Sequence, residues 1–309
     1  MPVIRLIDEL NYSDKSRETY MSIKHPVVVV TGSSGAGTTT VKRAFEHIFN
    51  REGISAAVIE GDSFHRYDRV EMREKMAKGM SHFGPVANHF DKIAELFKEY
   101  GETGGGKKRY YLHSEEEAAE HNERLGVDKK PGEFTPWEDV PAGTDLLFYE
   151  GLHGIAKDDE TDISQFVDLG VGVVPNVNLE WIQKIHRDSA ERGYSAEAIV
   201  DTILRRMPDY INYITPQFSR TDINFQRVAT VDTSNPFIAR DIPIPDESFV
   251  VIRFTDPEKF EIDFQYLLAM IHNSFMSRRN TIVVPGGKMG FAMEIILGPI
   301  IEHMMDEAK

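Results

Sequence analysis

One stretch, His25–Val41, constrains the fold of this chain more than any other. Within it, Val27–Val30 is a run of β-branched residues without polar alternation, which is typical of a buried strand in a parallel sheet. Three glycines follow: Gly32, Gly35 and Gly37. Val41–Phe49 then has the apolar spacing of a helix with one buried face. This order predicts a phosphate-binding loop, because backbone N–H groups and the positive end of the helix dipole converge there on an anion.

The loop fits the nucleotide-binding pattern G-x-x-x-x-G-K-[ST] with one departure. Thr38 stands where the pattern has lysine, and Thr39 supplies the hydroxyl expected to hold Mg²⁺. A turn that binds nothing is the alternative, but three glycines with hydroxyls between them favour a ligand. The missing lysine means that another cation must reach the transferring phosphate. The predicted ATP-binding residues of the loop are Gly32, Ser33, Ser34, Gly35, Ala36, Gly37, Thr38, Thr39 and Thr40.

Composition excludes several classes of function. The 309 residues carry a net charge of −15, which disfavours nonspecific binding to nucleic acid or membranes. No apolar run approaches the ~20 residues of a membrane span, and the N-terminus lacks the apolar core of a signal peptide. We therefore expect a cytoplasmic protein with no nucleic-acid or membrane partner. The chain has no cysteine, which excludes disulfides and thiolate metal sites.

The first 24 residues are polar and mixed in charge. They predict a poorly ordered N-terminal extension, with a short docked helix over Ile4–Leu10 as the alternative. The rest of the chain, residues 25–309, is interpreted as a single domain with no internal repeat.

Two further predicted strands end in acidic residues. Ala56–Ile59 leads into a polar cluster that contains Asp62, and Leu146–Tyr149 leads into Glu150. Open α/β sheets bind their ligands at the carboxyl ends of strands. Asp62 is therefore the candidate to accept a proton from an attacking hydroxyl or to hold Mg²⁺ through water, and Glu150 is the candidate Mg²⁺ carboxylate.

The polar cluster after the second strand also contains His65 and Arg69, which are candidates for binding a second anion. A solvated loop with local caps is the alternative interpretation. Downstream, the glycine- and lysine-rich segment Gly101–Tyr111 predicts a mobile flap, and His113 lies just beyond it.

A basic helix pair is predicted near residues 178–208. Asn178 would cap a helix over Leu179–Arg192, and Ser195 would cap a second helix that ends before Pro208. Lys184, Arg187 and Asp188 share one face of the first helix because they are spaced by three or four residues. An exposed ion pair is the alternative. The arginines of this acidic chain instead favour a lid whose cations replace the missing lysine: Arg187, Arg192, Arg205 and Arg206.

The remaining pattern predicts mixed structure. Glu71–Phe97 has helical spacing, broken near Gly84-Pro85. Strands are predicted over Tyr213–Thr215, Asn224–Val231 and Phe249–Phe254. Helices are predicted over Phe264–Phe275 and Met289–Met305, the second interrupted at Gly298-Pro299. The fold class is therefore α/β, a mostly parallel sheet flanked by helices with antiparallel edge strands in the C-terminal half.

The lysine-free Gly-Ser-Ser-Gly-Ala-Gly-Thr-Thr-Thr loop and the run Lys184–Asp188, followed by Arg192–Ser195 and Glu197, resemble the signature of the phosphoribulokinase family, in its bacterial, Calvin-cycle form. The resemblance extends over His25–Met305. It implies a P-loop kinase fold and transfer of phosphate from ATP, with Mg²⁺, to the 1-hydroxyl of D-ribulose 5-phosphate, giving ribulose 1,5-bisphosphate.

Residue roles follow from the resemblance. It implies that Asp62 is the catalytic base, that Glu150 is the Mg-ATP carboxylate and that Asp188 is a second acid needed for catalysis. Arg187 would stabilise the transferring group, together with Arg205 and Arg206 on the lid. The implied ligands of the sugar phosphate are His65, Arg69, His113, Lys184 and Arg192.

The resemblance also implies regulation. Bacterial members are typically homo-oligomers that NADH activates and AMP inhibits. Three arginines resemble positions tied to the effector response: Arg51, Arg253 and Arg278. Because the chain lacks the regulatory cysteines of plant-type members, thioredoxin control is not expected.

Two other functions remain open from the residues alone. A kinase of the same fold acting on uridine or pantothenate would not need the cations of Lys184–Arg192, since those acceptors carry no phosphate. A nucleotide-dependent switch protein without an acceptor would leave Asp62 and Asp188 without a role.

The missing loop lysine generates a first prediction. Thr38→Lys should not raise turnover, because Lys184 and Arg187 already supply the cations that the loop lacks. Steady-state kinetics of the variant and the unmodified chain test this. A gain of about tenfold, equal to about 1.4 kcal/mol of activation barrier, would contradict it.

Overall fold

The computed structural model describes residues 24–32, 38–174, 176–239 and 241–309, with the backbone alone for Thr38, Thr39, Glu191 and Arg192. The predicted N-terminal extension, apart from Lys24, and the alternative helix over Ile4–Leu10 lie outside these residues.

Strands and helices alternate along the described chain. The strands are β1 (Val27–Gly32), β2 (Ala56–Glu60), β3 (Lys107–Lys108), β4 (Glu138–Asp139), β5 (Leu146–Gly151), β6 (Leu169–Val174), β7 (Ile223–Ala229), β8 (Ser248–Phe254), β9 (Phe275–Arg278) and β10 (Thr281–Pro285). The α-helices are α1 (Thr38–Glu52), α2 (Arg69–Ala77), α3 (Phe90–Thr103), α4 (Glu115–Leu125), α5 (Val177–Arg192), α6 (Ala196–Asp209), α7 (Phe264–Met270) and α8 (Met289–Glu307).

Eight of the strands in the described residues form one mixed sheet in the order β2-β5-β1-β6-β7-β8-β10-β9. The strands from β2 to β7 in this order pair in parallel, and β8, β10 and β9 add antiparallel pairs at one side. The predicted sheet, mostly parallel with antiparallel strands from the C-terminal half, is confirmed. β3 and β4 form a separate antiparallel pair.

Both faces of the sheet are covered around β1, which explains its unbroken valine run. Val28 and Val30 belong to the core that α1, α7 and α8 cover. Val27 and Val29 belong to the opposite core, which α3 covers. A strand that is buried on both faces needs an apolar residue at every position rather than an alternating pattern.

Three predicted helices have different bounds. The region predicted over Glu71–Phe97 contains two helices, α2 and α3, separated by residues 78–89. α5 begins at Val177 because Asn176, not Asn178, accepts a hydrogen bond from the N–H of Leu179 at 3.5 Å. α7 ends at Met270, and the left-handed backbone of Asn273 turns the chain so that Phe275 starts β9.

The predicted interruption at Gly298-Pro299 is wrong. α8 continues through Pro299 because buried side chains on both sides of it, Ile296 and Ile300 among them, hold the helix despite the missing proline N–H. α6 likewise includes Pro208, at its penultimate position.

The predicted strand over Tyr213–Thr215 is also wrong. A π-turn over Tyr210–Ile214 and a 3₁₀ turn over Thr215–Ser219 occupy this region. The buried amide of Gln217 donates to the carbonyl oxygens of Tyr213 and Leu152, at 2.9 and 2.7 Å. This side chain, which the pattern did not reveal, holds the backbone helical.

The segment Gly101–Tyr111 is not a flap. α3 continues to Thr103, and Gly104 ends it with a left-handed backbone at φ 72°. β3 then pairs with β4, and Lys107 Nζ lies 2.6 Å from Asp139 Oδ1. The segment is thus part of the packed structure that borders the end of β2. Within the described residues, no helix is long and apolar enough to cross a bilayer.

The ends of β2 and β5 approach each other closely. A Cβ atom at Gly61 would lie 2.5 Å from Tyr149 Oη and 2.8 Å from the Cα atom of Gly151. Only glycine fits at such a separation, so Gly61 and Gly151 allow the two strand ends to lie side by side over Tyr149.

This packing predicts that Gly61→Ala lowers the free energy of unfolding by about 1–3 kcal/mol, because the backbone of β5 must move. Urea unfolding measures the change. The control is Gly290→Ala, whose new Cβ would meet only Thr40 Cγ2, at 3.8 Å, within α8. Equal stability of the two variants would contradict the prediction.

Candidate active site

Three carboxylates gather where the strands around β1 end. Glu60, the last residue of β2, is opposite Glu150 of β5 in the parallel register. Asp62 follows on the 3₁₀ turn Gly61–Phe64. Lys42 of α1 places its Nζ atom 3.7 Å from Glu60 Oε1. Glu60 was not singled out from the sequence; its register with Glu150 is the signal that places it here.

Asp62 is paired with His65. The Oδ1 atom of Asp62 lies 3.5 Å from Nε2 of His65. Burial works against the charged carboxylate, but the hydrogen bond and charge of His65 outweigh it, with help from His113, so the pKa of Asp62 falls below its ordinary value. Asp62 is therefore a carboxylate at neutral pH.

Asn88 orients the His65 ring. The Nδ2 atom of this buried amide donates to the carbonyl oxygens of His82 and Gly84, at 2.8 and 2.9 Å. Its Oδ1 atom is therefore turned toward His65 Nδ1, 2.7 Å away, and can only accept. A proton is thereby assigned to Nδ1 of His65, which donates it to Asn88, and Nε2 of the same ring faces Asp62.

Two further histidines lie around this pair and were missed from the sequence. The His82 ring centroid is 5.0 Å from that of His65. Burial, reinforced by His65 and Arg206, lowers the pKa of His82 to about 3. Burial also lowers the pKa of His153 to about 3, and both of its ring nitrogens lack a hydrogen-bond partner in the described residues. Both rings are neutral at physiological pH, so they add no charge to the site.

Arg69, Tyr111 and His113 form one side of the site. Arg69 Nε donates to Tyr111 Oη at 3.2 Å, and Arg69 Nη2 contacts the His113 carbonyl oxygen at 3.4 Å. The Tyr111 ring packs edge-on against both His65 and His113. The structure thus brings the predicted anion ligands His65, Arg69 and His113 together beside Asp62. Tyr111, which connects them, was not predicted.

On α5, Asp188 is only 3% exposed. Lys184 Nζ lies 2.5 Å from its Oδ2 atom, and Arg187 Nε lies 3.2 Å from its Oδ1 atom. Burial lowers the pKa of Lys184, Asp188 opposes this shift, and Arg187 and Arg206 add to it. The predicted face of α5 is therefore a partly buried ion-pair network centred on Asp188 rather than the exposed pair considered as the alternative.

Arg206 connects the helix pair to the carboxylate side. Its guanidinium carbon lies 5.9 Å from the centroid of the Phe83 ring, and its charge acts on both His82 and Lys184. Burial, with Arg205 beside it, lowers the pKa of Arg206. Arg205 itself is exposed. The Asp62–His65 pair, His82, Arg206 and the α5 network thus form one contiguous polar region.

The phosphate-binding loop is described only at its two ends. A Cβ atom at Gly32 would lie 2.8 Å from the carbonyl oxygen of Val173, so glycine is required where β1 passes β6. α1 begins at Thr38, as expected for the helix that follows a phosphate-binding loop. The predicted residues Ser33–Gly37 and the side chains of Thr38, Thr39 and Arg192 lie outside the described part of the chain.

A cavity of about 180 Å³ lies beside Thr40, between the first turns of α1, α5 and α8. Its polar lining is Thr40, Asn176, Glu180, Gln183 and Arg227. Arg227 is held by Ser248 Oγ at 3.0 Å and the Pro243 carbonyl oxygen at 2.6 Å. Apart from Thr40, these lining residues were not predicted.

The three predicted effector arginines do not form one cluster within this chain. Arg253 of β8 and Arg278 of β9 are both opposite Thr281 of β10. Arg51 lies at the end of α1 and packs against Gly298 of α8. Its Nη2 atom is so close that a Cβ atom added to Gly298 would lie only 2.7 Å from it. Val250, Ile252 and Phe254 face α8, so Arg253 lies on the opposite face of the sheet from Arg51.

Comparison with known proteins agrees with this geometry. The family described as Phosphoribulokinase / Uridine kinase matches residues 27–234. The chain is 60% identical over 296 residues to the chromosomal phosphoribulokinase of Cupriavidus necator, which covers 94% of this chain and 99% of that protein. It is 62% identical over 296 residues to the phosphoribulokinase of Xanthobacter flavus, with the same coverage.

Among solved structures, the phosphoribulokinase from Rhodobacter spheroides superposes with a TM-score of 0.82 at 52% identity, covering 93% of this chain and 99% of that one. This agreement confirms the P-loop kinase fold. The chain belongs to the phosphoribulokinase / uridine kinase family.

Proposed function

We propose that this protein transfers the γ-phosphoryl group of ATP to the 1-hydroxyl of D-ribulose 5-phosphate, forming ribulose 1,5-bisphosphate in the Calvin cycle. The observation that carries the proposal is the position of Asp62. Arg69 contacts the carbonyl oxygen of His113, whose side chain acts on this ionised carboxylate. His82 is near both Asp62 and Arg206, and Arg206 acts in turn on Lys184. Arg69 and His113 suit the phosphate of the acceptor, and Arg206 and Lys184 suit the group being transferred.

Asp62 would accept the proton of the attacking hydroxyl. In a loose transition state the nucleophile loses its proton late, so orientation matters more than base strength, and a low pKa at Asp62 is no obstacle. The contact with His65 keeps the carboxylate ionised and turned toward the site. Asp188 would act by holding Lys184 and Arg187 in place on α5.

The cations of the helix pair would replace the missing loop lysine. Lys184 and Arg187 are already ordered by Asp188, and Arg206 is largely desolvated beside them. Positive charge in a site of low dielectric stabilises a phosphoryl group that gains negative charge. We assign Arg192 and Arg205 to the same lid, closing over the nucleotide as part of a single kinase domain.

ATP would bind with its phosphates at the start of α1 and its base in the 180 Å³ cavity next to Thr40. Polar side chains on an otherwise apolar wall are suited to fix the orientation of a base. Glu180 and Arg227 are the charged members of that lining.

The donor set fits Mg²⁺. Glu60, Glu150 and Asp62 offer hard oxygen ligands at the edge where the phosphates would bind. Within the described residues, no group of three or more histidines and acids could hold a metal ion. Mg²⁺ usually binds through one or two carboxylates together with substrate phosphates and waters. Glu150, Asp62 and Thr39 would hold the ion, which would neutralise phosphate charge when bound.

Regulation and assembly belong to the same proposal. NADH would activate the enzyme through Arg253, Arg278 and Arg51. Arg253 and Arg278 lie on the opposite face of the sheet from Arg51, so no single face of one chain presents all three. A cytoplasmic homo-oligomer is the form we expect.

The test is an assay of ADP release with Mg-ATP and D-ribulose 5-phosphate, with uridine and pantothenate as control acceptors. Of the three acceptors, only the pentulose phosphate is expected to be turned over, because only its phosphate would bind to Arg69 and His113. NADH should raise the rate.

Turnover with a phosphate-free acceptor instead would contradict the proposed substrate. A normal rate that NADH does not change would remove only the effector assignment.

A further inference from the structure

Arg109 lies outside the residues that the proposed reaction uses, yet it contacts the backbone of the catalytic turn directly. Its Nε atom donates to the carbonyl oxygen of Ser63 at 2.8 Å, and its Nη2 atom donates to that of His65 at 2.6 Å. These two residues follow Asp62 on the turn and at its end. One guanidinium therefore ties together the two carbonyl groups that flank Phe64.

The guanidinium is itself held between two aromatic rings. Its central carbon lies 3.7 Å from the centroid of Phe134 and 4.6 Å from that of Trp137. Trp137 also packs against Phe64 of the turn, with ring centroids 5.7 Å apart. Phe64 is 1% exposed. Trp137 thus contacts both Arg109 and Phe64, and these side chains together pack against the backbone that follows Asp62.

Arginine suits this position for two reasons. Its planar fork donates in two directions at once from a fixed geometry, which the flexible ammonium of lysine does not do. Burial lowers the pKa of Arg109 to about 10, so it keeps its charge at neutral pH, and charge-assisted hydrogen bonds are stronger than neutral ones. The bonds reach backbone oxygens, so they fix the path of the turn rather than one side chain.

We propose that Arg109 is a positioning residue for phosphoryl transfer: it fixes the Gly61–Phe64 turn so that Asp62 and His65 face the acceptor. This inference rests on the proposed function. A shift of about 1 Å in a reacting group can reduce a rate about 10²-fold. Because Arg109 acts on the acceptor side of the site, its loss should spare ATP binding.

The test compares Arg109→Lys with a matched control, Arg124→Lys. Arg124 also lies over an aromatic ring, at 5.6 Å from the centroid of Tyr110, and pairs with Glu138 at 3.0 Å, but within the described residues it forms no hydrogen bond or ion pair with the turn. Arg109→Lys is expected to reduce kcat/KM for the acceptor by about 10²-fold, with the KM for ATP nearly unchanged. Arg124→Lys should behave as the unmodified chain does.

Hydrogen exchange gives a readout that does not depend on turnover. Amides of residues 62–66 should exchange about tenfold faster in Arg109→Lys, since a local opening about 1.4 kcal/mol easier has that effect. If Arg109→Lys does not fold, Phe134→Leu removes one of the two rings that contact the guanidinium while keeping Arg109. Smaller losses of kcat/KM and smaller increases in amide exchange are then expected.

The outcomes separate the two proposals. If the unmodified chain does not phosphorylate the pentulose phosphate, the proposed function is wrong. Faster exchange of the turn in Arg109→Lys would in that case still show that Arg109 fixes the turn. Full activity with faster exchange shows a structural role alone and overturns the inference. So does an equal loss in KM for ATP and for the acceptor, or a variant indistinguishable from Arg124→Lys.

Discussion

The site depends on the parallel pairing of β2, β5 and β1. Parallel strands end at the same edge, and the register sets Glu60 beside Glu150 and brings the turn that carries Asp62 to the edge of the sheet where β1 ends at Gly32. The approach is close enough that Gly61 and Gly151 accept no side chain. Strand pairing thus determines how far the end of β1 lies from the turn that carries Asp62, before any catalytic side chain is considered.

Charge is the second constraint. A chain with a net charge of −15 must bind two anionic substrates, so positive charge has to be concentrated locally. The structure does this with arginines and lysines that are partly buried, while His82 and His153 are kept neutral by burial. Asp188 pairs with Lys184 and Arg187, and under the proposed function this would reduce the reorganisation needed when a phosphoryl group develops charge.

Much of this arrangement could be predicted from the sequence because it is local. The valine run, the glycine loop and the acids at strand ends are short patterns with direct physical meaning, and the strands β1, β2 and β5 are found close to where they were expected. The resemblance to the phosphoribulokinase family is confirmed as well.

What could not be predicted depends on contacts between distant segments. Gln217 makes residues 213–219 helical by bonding to Leu152, 65 positions away. Asn88 orients His65, and Arg109 holds the turn through carbonyls more than 40 positions earlier. The composition of Gly101–Tyr111 predicted a flap, because the rings that hold Arg109 in place come from residues 134 and 137, outside that segment. No local pattern carries that information.

The most direct test of the central claim is turnover and binding in Asp62→Asn. The account predicts that kcat falls by about 10²–10⁴-fold, while calorimetry shows both ATP and D-ribulose 5-phosphate still binding. Near-normal turnover, or loss of ATP binding in place of turnover, would contradict it.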